Sequence, residues 1–305
     1  MACILLLALN KDFDVFNEAY SFLELFSGKG WVTKLMKVNG IASASFDISY
    51  GEPVLVLLSI LNCKFENFLV VIGLVCSSWV TVSQGTHNRA PWFPMGRDEF
   101  GFVNMGNQLT SRTALLILAI TAMGGTWILE QPRSSLVIWH PRIRLLWRLL
   151  PKVYEARWWA CMYGSATAKR HIAWSNSPTV QLLDLGQMVR AHYKLQGVKS
   201  TKKYRNKRGK VAFCGSSFLK QTQTYPPGFA KKITKLHSRF CAKRTLEFGA
   251  GIEGEHLNLG VYLFEGLSWD TDWWLDAGMD STFCYLRGAK GLCLGSLRHL
   301  FPTHI

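Results

Sequence analysis

Three short strings carry the residues best suited to chemistry. In LELFSGKGW, residues 23 to 31, an apolar run passes into Gly28 and Gly30 and then into a helix-forming stretch. Two glycines at a strand-to-helix turn let the backbone approach a ligand, while the helix N-terminus offers unpaired N–H groups. Seventeen residues after Gly30 comes Asp47, at the end of the next apolar run, where a carboxylate can accept hydrogen bonds from both hydroxyls of a ribose. Glycine turn and spaced acid together point to a cofactor of the adenosine type, although two glycines alone read equally as a tight turn. In VVIGLVCSSW, Cys76 follows an apolar strand and precedes a Ser-rich loop with Trp79. A thiol there is placed to attack a substrate, or is a small buried residue; Trp79 either lines the substrate pocket or belongs to the core. In WILEQPRSS, Glu130 ends another strand, where a desolvated acid can protonate a heterocycle; the plainer reading pairs it with Arg133.

Apolar runs alternating with longer segments must position these strings, and that rhythm predicts a mostly parallel sheet with crossover helices. Strands are expected over SFLELF (21 to 26), IASASFDI (41 to 48), FLVVIGLV (68 to 75), TWILEQ (126 to 131) and HIAWSN (171 to 176). Helices are expected over Trp31 to Val38, around Asn107 to Met123, and over Pro141 to Leu149, where proline suits the first turn. The interval from 49 to 67 gives no clear assignment. Parallel strands present their C-terminal ends on one side, so Cys76 and Glu130 are expected to converge although 54 positions separate them.

The chain has 305 residues, 49% hydrophobic and 18% charged, which excludes a mainly disordered or collagen-like chain. Its net charge of +15 favours a polyanionic partner. From Arg190 to Arg244 there are 16 Lys or Arg and no acid, while Thr245 to Asp280 holds 8 acids and no Lys or Arg. The expected division is a catalytic domain over 1–186, a basic extension over 187–244, and an acidic, aromatic, poorly structured tail over 245–305. Within the extension, KSTKKYRNKRGK (199 to 210) reads as a solvated basic loop or tail. Lys202, Lys203, Arg205, Lys207 and Arg208 are its candidate phosphate contacts, and Tyr204 and Phe213 could stack on bases; a plain solvated loop or nuclear-import signal is the alternative.

Eight cysteines without a C-x-x-C pair suit a reducing compartment rather than a disulfide scaffold. The opening MACILLLAL lacks the basic and cleavage regions of a secretory signal, and no apolar run reaches the ~20 residues of a membrane span. The expectation is a nuclear or otherwise intracellular monomer with no membrane partner.

Taken in order, the strings resemble the cytosine carbon-5 methyltransferases. Phe26, Ser27, Gly28, Lys29 and Gly30 match the family's cofactor motif of Phe, any, Gly, any, Gly; Gly73, Leu74, Val75 and Cys76 are similar to its Gly, any, Pro, Cys; Glu130, Gln131 and Pro132 partly match its Glu-Asn-Val. Tyr163, Gly164 and Lys169 or Arg170 echo a fourth motif, and TYPPGFAKKI (224 to 233) a last one. The resemblance covers roughly residues 21 to 176 and departs from the family at Val75, Ser77 and Gln131.

The resemblance implies a class I, Rossmann-like fold and an S-adenosylmethionine cofactor held by Phe26, Gly28, Gly30 and Asp47. It implies that Cys76 adds to carbon 6 of a cytosine flipped out of nucleic acid, DNA in preference to RNA, with Glu130 at ring nitrogen 3 and Lys169 or Arg170 in support. The altered flanks leave two alternatives: a decayed domain that only binds nucleic acid, and a methyltransferase for another substrate with Cys76 structural.

Overall fold

The computed structural model describes residues 20–47, 59–60, 63, 67–198, 201–205, 207, 209–215 and 219–242. The opening apolar segment, Arg208 and the expected tail over 245–305 lie outside the described residues.

Six strands form one sheet: β1 (Phe22–Leu25), β2 (Ser43–Phe46), β3 (Leu69–Ile72), β4 (Thr126–Pro132), β5 (Tyr154–Trp159) and β6 (Arg170–Ser175). Their order is β2-β1-β3-β4-β6-β5, with β1 to β4 parallel and β6 antiparallel to both of its neighbours. The helices are α1 (Trp31–Val38), α2 (Gly101–Ala122), α3 (Pro141–Leu149) and α4 (Pro227–Cys241). The architecture is therefore α/β, a mostly parallel mixed sheet with flanking helices.

Alternate residues of each strand feed opposite faces of the sheet. Leu23, Leu25, Val70, Ile72, Trp127 and Leu129 meet Ile117 and Ile120 of α2 and Ile143 and Leu146 of α3. Phe22, Leu69, Val71, Ile128 and Ala173 meet Val32 and Met36 of α1 and Phe229, Ile233, Leu236 and Phe240 of α4. Burial on both faces is why β3 reads as an unbroken apolar run and why β1 is apolar except for the buried Glu24.

The helix expected around Asn107 starts at Gly101, and the sheet gains an edge strand, β5, whose Ala156 and Trp158 point inward while Glu155 and Arg157 point to solvent. The stretch read as a basic loop or tail is a β-hairpin. β7 (Thr201–Arg205) pairs antiparallel with β8 (Val211–Gly215), setting Lys203 opposite Phe213, and Lys202 to Arg205 are all exposed. Beyond the hairpin, the same basic segment supplies α4, which fills one face of the sheet. Its apolar residues recur at helical spacing, and its lysines take the other side.

From β1 the chain goes to one side for β2 and to the other for β3. By the general rule for open α/β sheets, that reversal puts the ligand crevice at the C-terminal ends of β1 and β3.

Candidate active site

The glycine turn forms the first wall of the crevice. Phe26, Gly28 and Gly30 have φ of 56°, 54° and 60°, all left-handed. Glycine adopts this freely, whereas for Phe26 it costs about 1–3 kcal/mol, a strain that clusters at ligand sites. Ser27 N–H donates to Phe46 O at 3.1 Å and Gly28 N–H donates to Asp47 Oδ2 at 2.8 Å, which brings the acid after β2 to the turn after β1. A Cβ at Gly28 would meet nothing within 4 Å, so the turn faces open space. The N-terminus of α1 is less available than the sequence suggests. Glu24, fully buried on β1, accepts from Thr33 N–H at 2.8 Å and from Thr33 Oγ1 at 2.7 Å.

Cys76 lies on the loop after β3, and Glu130 near the end of β4. Gln131 joins the two: its Nε2 donates to Leu74 O at 2.6 Å, and its Oε1 accepts from Ser135 Oγ at 2.8 Å. Burial pushes the Cys76 thiol pKa up; the Lys169 ammonium opposes that rise, and the Glu130 carboxylate adds to it. Part of the residue's surface stays open to solvent even so. Lys169 Nζ donates to Thr222 O at 3.1 Å. Glu130 is 7% exposed, and its partner is His171 rather than Arg133, with Nδ1 2.5 Å from Oε1.

Two more residues complete the cluster. Tyr225, just ahead of α4, sets its hydroxyl against Gly73, where a Cβ would stand 2.7 Å from Oη. Its pKa is pushed well up, first by burial and then by the charges of Glu130, Glu24 and Cys76. The Glu130 carboxylate acts on the phenol, but neither Tyr225 Oη nor Glu24 Oε1 has a partner at hydrogen-bonding geometry. Burial likewise raises Glu24, against the donors of Thr33.

The structure thus gathers Cys76, Glu130 and Lys169, and adds His171, Tyr225 and Glu24. Arg170, offered jointly with Lys169, stands apart: it is exposed and stacks on Trp159 at 5.0 Å. Trp79 is corrected from pocket lining to core. It is fully buried beneath the Arg89 guanidinium, 3.5 Å from the ring centroid. Arg89 is itself 0% exposed and donates to Ser78 O, Ser78 Oγ, Pro94 O, Met95 O, Val103 O and Asn107 Oδ1. This bonding fixes the loop that begins at Cys76.

Lys202, Lys203, Arg205 and Lys207 are exposed on or beside the hairpin, and Tyr204 is 47% exposed. The chain returns from β8 through Thr222 and Tyr225, so the basic element is joined directly to the crevice. The sequence could have yielded His171 only with the pairing known. Glu130 lies opposite Ala173 and His171 opposite Pro132, a diagonal pair on one face of antiparallel strands. Tyr225 lies in the TYPPGFAKKI string, but nothing in that string sets it against Gly73.

Among the described residues, no three His, Cys, Asp or Glu are grouped to hold a metal ion, and no helix is long and apolar enough to cross a membrane. No protein-family model matches the chain, and no curated protein is found to match it.

Proposed function

We propose that the protein is an S-adenosylmethionine-dependent methyltransferase acting on carbon 5 of cytosine in nucleic acid, with DNA the first substrate to test. The observation that carries the reading is the meeting of Cys76, Glu130 and Lys169 beside a left-handed glycine turn at the reversal of the sheet. Fold and strand order support the finer assignment to a class I methyltransferase-like sheet.

The open turn at Gly28, with Asp47 on its rim, fits the cofactor, which Phe26, Gly28, Gly30 and Asp47 would hold. When bound, it supplies an electrophilic methyl group. Cys76 as thiolate attacks carbon 6 of the ring, which makes carbon 5 nucleophilic, and Glu130 gives a proton to ring nitrogen 3. The Lys169 ammonium favours the thiolate. Lys202, Lys203, Arg205 and Lys207 hold phosphates, giving affinity that falls with salt.

The raised thiol pKa favours one alternative, a domain that keeps nucleic-acid binding but has lost turnover. A labelled methyl donor offered with pools of DNA and RNA separates the two. Transfer to cytosine that Cys76→Ala abolishes supports the enzyme, as does a covalent adduct between Cys76 and a cytosine carrying fluorine at carbon 5. Cofactor binding with no transfer to either pool supports the binding domain.

A further inference from the structure

The carboxyl that serves as the proposed acid is not held by an arginine or a lysine. Glu130 Oε1 lies 2.5 Å from His171 Nδ1, a short contact between groups that are 7% and 8% exposed. The imidazole is fixed on its face by Trp158, at 5.5 Å and 18°, and Trp158 is fixed in turn by Phe229 of α4, at 5.1 Å and 12°. The imidazole is stacked on one ring that is itself backed by a second, and is aimed at one carboxylate oxygen. A plain core histidine needs no such aim.

The charged and titratable groups around Glu130 come from several elements: Cys76 after β3 and Tyr225 ahead of α4 interact with it, Lys169 ahead of β6 acts on Cys76, and Glu24 on β1 acts on Tyr225. None of the hydrogen bonds of Lys169 and Glu24 described above goes to Glu130. The contact needs one proton between nitrogen and oxygen, and an acid that gives its own proton to the ring from Oε2 must accept at Oε1, which makes Nδ1 the donor.

We propose that His171 is a positioning residue for Glu130. It carries its proton on Nδ1, donates it in a hydrogen bond to Oε1, and so leaves Oε2 as the one oxygen presented to the substrate ring. The inference rests on Glu130 acting as the acid of the proposed reaction. The balance is simple. As sulfur bonds to carbon 6, one proton passes from Glu130 to ring nitrogen 3, and the Nδ1–H bond stabilises the carboxylate left behind. When sulfur leaves, the carbon 5 proton passes to a water, the electron pair of that bond re-forms the ring double bond, the nitrogen 3 proton returns to Glu130, and the His171 proton stays on its nitrogen throughout.

Two measurements on the full chain test this. Nitrogen NMR of histidine-labelled protein reads the tautomer directly. The expected result is a protonated Nδ1 on His171 with a strongly deshielded hydrogen that Glu130→Gln moves upfield. A proton found on Nε2 alone overturns the proposal, and that spectrum needs only the wild-type chain. The second measurement is kinetic. His171→Phe keeps a ring for Trp158 to stack on but has no donor, and should lower the transfer rate about a hundred-fold, the lower end of what a placed acid contributes, with KM unchanged. His171→Gln, whose amide can donate, should recover part of the loss; equal losses in both variants would mean packing only. A protonated Nδ1 bonded to Glu130 in a chain that transfers no methyl group would sink the proposed reaction and leave the His171 assignment standing.

Discussion

Two buried polar regions flank the loop that carries Cys76, and they are built on opposite principles. Around Arg89, a buried cation meets six acceptors and none of them is a carboxylate; the guanidinium is solvated by carbonyl and hydroxyl dipoles and by the Trp79 ring. Around Glu130, two buried acids and a phenol share few donors, and Glu24 Oε1 and Tyr225 Oη have none at hydrogen-bonding geometry. A saturated network has nothing left to offer a ligand and fixes a shape. An undersupplied one keeps lone pairs and protons in reserve, at a cost in stability. The contrast teaches that the Arg89 side is scaffold and the Glu130 side is where chemistry belongs.

The sharpest way to break this comparison is Arg89→Met. Removing the cation strands its buried acceptors, at about 1–3 kcal/mol for each left unsatisfied, so a loss of about 3 kcal/mol or more in urea unfolding is expected, and a loss below about 1 kcal/mol would remove the scaffold role.

Next in size are opposed pH signatures. Burial, then the charges of Arg142 and Arg89, lower His140 beside Trp79 from 6.5 to about 3. A depressed folded value means that the stabilisation is present above pH 6.5 and is lost as pH falls through that window toward 3, on the order of 2–4 kcal/mol. Glu24 is raised, so its contribution is full below 4.5 and is lost as pH rises through its folded value. His140→Gln should flatten the acid side of the stability profile, and Glu24→Gln should flatten the other side and gain stability at pH 7.

A smaller effect sharpens the picture around Tyr225. Gly73→Ala sets a Cβ 2.7 Å from Oη and 3.3 Å from Phe26 O, and should cost about 1–3 kcal/mol. Adding Tyr225→Phe should return part of that loss, and a double-mutant cycle with no coupling would contradict the contact. In the Lys169→Gln variant, alkylation of Cys76 should require higher pH, because the cation that favours the thiolate is gone. Least of all, Tyr225→Phe alone should change stability by no more than about 1 kcal/mol, in either direction, because its hydroxyl has no bonded partner to lose.

Strands that are mostly buried on both faces announce themselves, as β3 does, and the expected strands at β1, β2, β3, β4 and β6 are all present. Edge strand β5 was illegible to that approach because its charged alternates, Glu155 and Arg157, break the run while following the pleat. Composition also concealed α4. Reading residues 190 to 244 as one basic block hid the spacing of Phe229, Ile233, Leu236 and Phe240. At the site, Gly28, Asp47, Cys76 and Glu130 were legible because chain order and strand ends place them. His171 and Tyr225 were not, since their positions follow from an antiparallel pairing and a returning segment that no local pattern encodes.

The packing of α4 sets a timetable for synthesis. Phe22 and Val71 leave the ribosome early, but the face they help build stays open until Phe240 emerges. His237 must also reach back to Ser21 O at 3.0 Å, and Thr126 Oγ1 to Phe240 O at 2.6 Å. At ~5–20 residues per second, the interval from Phe22 to Phe240 lasts roughly 10–45 s, long enough for a nascent apolar sheet to meet other chains. Translation speed and chaperone occupancy should therefore govern the yield of folded protein more than the stability of the finished sheet does.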